Sequence, residues 1–241
     1  MLYLHRKKIA LTALLLALWA GETVQAQSTV RYRRVHQEGY DDKVVHYGFL
    51  FALPVTRFNV KYSDAYVTQD SAYQLYSPSK AGFRVGFVMN AAMTEHWDVR
   101  MTPAISLYGR TLEYKYANAP TRKETRESAW LELPILLKYK SQRRHNTRMY
   151  ALAGISLGIE TNVRRREVTG SSRLLTKNTD VAVEYGVGLE QFFEFFKFAP
   201  ELRFSHGLVN LFEQPNVNVN QYNQSVRRLN THTVSLYLNF E

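Results

Sequence analysis

The sequence has no cysteine, so disulfide staples, thiolate metal sites and cysteine nucleophiles are all excluded. It has no run of the roughly 20 apolar residues that a membrane-spanning helix needs; the apolar N-terminal stretch Ile9 to Ala20 falls well short. It has no metalloprotease H-E-x-x-H, no G-x-S-x-G elbow and no phosphate-binding glycine loop, and Gly186-x-Gly188 lies inside a strand-like segment. No aromatic stacking platform accompanies its basic residues, so nucleic acid is not an expected partner. What it has is a 45% hydrophobic content, with 16 Tyr and 13 Phe, in a chain of 241 residues whose mean hydropathy is nevertheless negative. Apolar residues are therefore interleaved with polar ones, as in strands with one face of each kind.

The N-terminus reads as an export leader. Arg6, Lys7 and Lys8 form a positive flank, Ile9 to Ala20 is a short apolar stretch, and Val24-Gln25-Ala26 offers a small-residue cleavage site before Gln27. Residues 1–26 are expected to be a signal peptide. Residues 27–45 are expected to be a periplasmic segment, and residues 46–241 the folded domain. The leader does not explain the formal charge of +10, most of which lies beyond it.

From Phe83 to Met93 the odd positions read Phe, Val, Phe, Met, Ala, Met, while the even ones include Arg84, Gly86 and Asn90. Seven more segments keep a period of two: Tyr47 to Val55, Trp97 to Leu107, Leu131 to Tyr139, Met149 to Ile159, Val181 to Leu189, Phe198 to Phe204 and Val234 to Phe240. Connectors alternate in length. Those around 61–80, 113–128, 161–178 and 212–230 are long and polar, and those at 94–96, 141–147 and 191–197 are short. Eight strands with short turns at one end and long loops at the other predict an all-β, antiparallel, up-and-down barrel in a bacterial outer membrane, with both termini in the periplasm. Tyr47, Trp97, Tyr139, Phe192, Phe193, Phe196 and Phe240 are the expected aromatic girdle of the periplasmic rim.

A soluble eight-stranded barrel would turn its apolar phase inward instead. Two features oppose it. Glycines 48, 82, 86, 154, 158, 186, 188 and 207 share the polar phase, where a narrow lumen needs small residues. The charges of that phase nearly balance, as a buried network must: Arg84, Arg100, Lys138, Arg148 and Arg203 against Asp98, Glu132, Glu160, Glu184, Glu190 and Glu201. A structural polar core is the expected role of these charges. Four in-strand prolines, Pro54, Pro103, Pro134 and Pro200, are expected to mark bulges. Ser205 and His206 are adjacent in a strand and so point to opposite faces, which argues against a nucleophile and base pair. No catalytic residue and no cofactor is expected. The basic clusters Arg164-Arg165-Arg166 and Arg227-Arg228 fall in expected extracellular loops, where lipopolysaccharide phosphates or a partner protein would meet them. Arg33, Arg34, Tyr40, Asp41 and Asp42 are the expected periplasmic docking groups.

Three motifs resemble the PorT/SprT family of outer-membrane proteins: Tyr40-Asp41-Asp42-Lys43 with His46-Tyr47-Gly48-Phe49, Leu131 to Tyr139, and Pro200 to Leu208. The resemblance implies a non-enzymatic component of type IX secretion, linked to gliding motility, with other secretion-system proteins as partners. Two alternatives stay open from the residues alone: a generic structural or adhesive barrel, and a lipid-modifying barrel enzyme.

Overall fold

Alternation with period two becomes a closed antiparallel ladder in the computed structural model, which describes residues 36–64, 66, 73–116, 120–166, 175–213 and 226–241. The wall consists of β1 (Val45–Tyr62), β4 (Phe83–Ala92), β5 (Trp97–Met101) continued by β6 (Ala104–Tyr116), β7 (Arg122–Lys140), β8 (Thr147–Arg166), β10 (Thr179–Phe192), β11 (Lys197–Gly207) and β13 (Val226–Phe240). Each pairs with the next, and β1 closes the ring by pairing with β4 through Phe49↔Phe87 and with β13 through Phe49↔Phe240. Four short strands sit among the longer connections: β2 (Tyr73–Tyr76), β3 (Lys80–Ala81), β9 (Leu175–Thr176) and β12 (Phe212–Glu213). The expected leader, residues 1–26, lies outside the described residues, as do Arg33 and Arg34.

Burial follows parity. Along β7 every odd residue from Leu131 to Tyr139 is exposed and every even one from Glu132 to Lys140 is buried. Tyr47, Phe49, Phe87, Met149, Ile155 and Val187 are each more than half exposed. An uninterrupted apolar wall of this extent has no stable place in water and matches a lipid environment. The soluble alternative, with the apolar phase inside, is thereby excluded.

The prolines stand at interruptions of the ladder rather than at register shifts, which fall at Lys61/Tyr62 and Ala129/Trp130. Pro54 lies between the last β1–β4 pair, Ala52↔Arg84, and the first β1–β3 pair, Val55↔Ala81. Pro103 and Pro134 flank the break between β5 and β6, bridged by the Thr102 N–H donating to the Pro134 carbonyl at 3.3 Å. Pro200 falls in the gap between Gly188↔Glu201 and Gln191↔Phe198. A residue with no N–H is tolerated where one side of the ladder is already open.

The long polar connectors are shorter than their composition suggests. The β6–β7 ladder continues to Tyr114↔Arg122, and β7–β8 to Thr125↔Arg166. Arg164, Arg165 and Arg166 thus end β8, paired with Glu127, Arg126 and Thr125, and Arg227 and Arg228 lie on β13. The expectation that both clusters occupy loops is corrected. Beyond the apolar band the outer face of a strand no longer meets lipid and need not be apolar, so alternation fades while backbone pairing continues.

Candidate functional site

A glycine on the inner face makes room for a large side chain on the next strand, where Gly188 of β10 pairs with Tyr150 of β8. A Cβ at Gly188 would collide with the Tyr150 ring, which lies over the Lys138 ammonium at 4.4 Å and the Arg100 guanidinium at 5.1 Å. Around this point the inward charges interlock. Arg100 pairs with Glu201 at 2.8 Å and with Glu241 at 3.2 Å, and its Nε donates to the Asn90 side-chain Oδ1 at 2.7 Å. Glu190, fully buried, accepts from Lys138, Arg148 and Lys197 together. Asp98 is held by Lys140 at 2.7 Å.

One level further from the short turns, Arg203 joins Glu201 at 2.6 Å to Glu184 at 3.1 Å, and Arg84 pairs with Glu132 and bonds Tyr237 and Ser106. Glu160 pairs with Arg126. Every residue expected in the inward network, Arg84, Asp98, Arg100, Glu132, Lys138, Glu160, Glu184, Glu201 and Arg203, is buried and ion-paired. Of their partners, Lys140, Lys197 and Glu241 continue the inward phase at or just beyond the strand ends, and Arg126 lies further out on β7. Buried charges are tolerated only when matched in this way. A cavity of about 20 Å³ remains among Arg84, Arg110, Glu132, Asp180 and Ser205, room for about one water.

Both ends of the lumen are stoppered. At the end of the long connections Phe58, Leu75, Leu112, Tyr114, Leu211, Phe212, Val226 and Leu229 form an apolar cluster. At the short-turn end the segment before β1 folds back as a 3₁₀ turn, Glu38–Tyr40, and inserts Tyr40. The Tyr40 ring stacks on His46 at 3.9 Å and meets Phe192 edge-on at 5.2 Å; its hydroxyl donates to Glu241 at 2.9 Å and accepts from Lys197 at 2.6 Å. Burial, with the carboxylates of Glu241 and Glu190, pushes the Tyr40 phenol well above its ordinary range, so it remains a donor. Arg148 pairs with Asp41 at 2.7 Å, and Arg143 donates to the carbonyls of His36 and Gln37 while lying over the Phe192 ring at 3.7 Å.

Two expectations change here. Tyr40 and Asp41 are built into the barrel end, so they are not surface docking groups; Asp42 is exposed. Phe192 belongs to the stopper and not to the girdle, whose remaining members form contacts such as Trp97–Tyr139 at 4.9 Å and Phe193–Phe196 at 4.9 Å. Ser205 lines the luminal cavity, whereas His206 is outside the wall, bonded to Tyr185 and His232. Among the described residues no group of three or more histidines or carboxylates is placed to hold a metal ion. The arrangement neutralises, packs and seals.

Known proteins agree with this architecture. The structure is similar to that of the outer membrane protein OprG from Pseudomonas aeruginosa, with 11% identity and a TM-score of 0.51 over 80% of this chain and 93% of that one. That likeness is one of fold. Neisserial surface protein A aligns at 12% identity over 82% of this chain and 98% of its own, with a TM-score of 0.41. No curated protein matches the sequence. The family profile described as outer membrane protein beta-barrel domain matches residues 25–213, most of the chain. With the closed ladder and its apolar wall, that match makes the chain a member of the outer membrane β-barrel family.

Proposed function

We propose that this protein is a sealed outer-membrane barrel that serves type IX protein secretion from its surfaces, without catalysis and without passing cargo through its lumen. The observation that carries the reading is the lumen itself, filled by interlocked ion pairs between the Tyr40 stopper and the apolar cap. The secretion part rests on the resemblance to PorT/SprT proteins. The first and third of those motifs supply Tyr40, His46, Glu201 and Arg203, all of which take part in sealing the barrel.

In this reading residues 1–26 are an export leader, and the short-turn end, where β1 begins and β13 ends, faces the periplasm. Arg33, Arg34 and Asp42 would meet periplasmic secretion proteins there. Arg164, Arg165, Arg166, Arg227 and Arg228 would meet lipopolysaccharide or a partner at the outer face. Deleting the gene is expected to leave type IX cargo unprocessed in the periplasm, and removing residues 27–35 to weaken export while the barrel still assembles. Normal cargo at the surface of the deletion strain would sink the secretion role. It would favour a generic structural or adhesive barrel, a reading supported by the length of β7 and β8: 19 and 20 residues, where about 9–11 span a membrane.

A further inference from the structure

The apolar outer wall changes character near its long-connection end on three adjacent strands. Val55, Val234 and Phe204 face lipid in one row of β1, β13 and β11; two residues further along, the row reads Arg57, His232, His206. Lys61 and Arg228 are paired further out on the same two strands. Arg57 and Lys61 are exposed, and no carboxylate pairs with Arg57, Lys61 or Arg228 among the described residues. Arg228 donates to the Leu208 carbonyl at 2.7 Å and leaves its Nε without a partner. Inside the barrel, by contrast, Arg84, Arg100, Lys138 and Arg203 each have a carboxylate.

The two histidines are tied into a chain with a direction. His206 Nδ1 and His232 Nδ1 lie 2.8 Å apart, His232 Nε2 is 3.0 Å from the Asn59 amide nitrogen, and His206 Nε2 is 2.9 Å from the Tyr185 hydroxyl. The Asn59 amide can only donate, so His232 Nε2 accepts and its Nδ1–H donates to His206. His206 Nε2–H then donates to the Tyr185 oxygen. The Tyr185 O–H is left pointing a donor away from the chain, on a ring that is 44% exposed and stacked on Phe204.

We propose that this row binds a phosphate of an outer-leaflet lipopolysaccharide headgroup, with Arg57 as the bidentate contact, Lys61 and Arg228 as flanking charges and the Tyr185 hydroxyl as a further donor. Adjacent strands are about 4.8 Å apart, so the row from Arg57 to His206 spans about 10 Å, with Tyr185 one strand further on and Lys61 and Arg228 about 13 Å further along, the scale of a diphosphorylated headgroup. Cations that share one face without a carboxylate partner attract an anion to it. At this depth, with the apolar wall beneath for acyl chains, a lipid phosphate supplies that anion. The assignment to lipopolysaccharide rests on the proposed outward orientation of the long connections.

The test titrates the full-length folded barrel, in neutral detergent, with diphosphoryl lipid A, dephosphorylated lipid A and phosphatidylglycerol, and reads bound lipid by native mass spectrometry. Diphosphoryl lipid A is expected to bind best. Arg57→Gln with Lys61→Gln should weaken it about tenfold or more, the loss of charge-assisted hydrogen bonds, while Arg57→Lys keeps part of the affinity and Lys43→Gln at the opposite end changes nothing. Heat-dependent gel mobility confirms that each variant is folded. Undiminished binding by the folded double variant, or equal binding of the dephosphorylated lipid, would overturn the site. Preference for phosphatidylglycerol with the same sensitivity to Arg57 would overturn the lipopolysaccharide assignment and the orientation behind it. Cargo export is read separately, so failure of the secretion role leaves this result intact.

Discussion

Glu190 shows what a single residue contributes to the lumen. Its carboxylate is fully buried and is shared by Lys138, Arg148 and Lys197, so Glu190→Leu would leave three cations in a space without water. A loss of about 3–5 kcal/mol is expected, as for other broken buried pairs. Urea midpoints of the refolded barrel check it, with Glu194→Leu in the exposed β10–β11 turn expected to stay within about 0.5 kcal/mol. Equal midpoints for the two variants would contradict the network. At this scale the sequence was informative about direction and silent about partnership. Parity put Glu190, Glu201 and Arg100 on the inner face, but Arg100 meets Glu201 from 101 positions away, a contact set by strand tilt across the closed ring. Phe192 was legible too: it continues the even, inward phase of β10, and its aromatic character obscured that.

The elements divide into those that the membrane writes into the sequence and those that it does not. The apolar spans of β1, β4, β7 and β8 could be read directly, because lipid on one side and a crowded polar lumen on the other force strict alternation. The ends of β6, β7 and β8 could not, since without lipid on the outer face the pattern lapses while the ladder runs on. That residues 36–43 are fixed to the barrel end is hidden in the sequence for a related reason: the groups that hold them are distant along the chain. Arg143 donates to His36 and Gln37, and the His36 N–H donates to the Asn146 side chain at 3.0 Å. Arg143→Ala should therefore release this strap. Limited proteolysis is expected to cut near residues 36–43 faster in the variant, with heat-dependent mobility of the barrel unchanged. Cleavage at the wild-type rate would show that Arg143 does not hold the segment.

For the whole molecule the central claim is closure. An eight-stranded ring encloses little more than its own side chains, and here that space holds ion pairs in the middle, Tyr40 with Phe192 at one end and a Phe58–Leu112–Leu229 cluster at the other. Any role in export then belongs to the rim, the wall and the strands that project beyond it. Planar-bilayer recording of the purified barrel tests this most directly. The expected result is a conductance indistinguishable from protein-free bilayer, for the unaltered protein and for Tyr40→Ala/Phe192→Ala alike, because the ion pairs and the far cluster still fill the lumen. Stable, reproducible open channels in the unaltered protein would contradict the account.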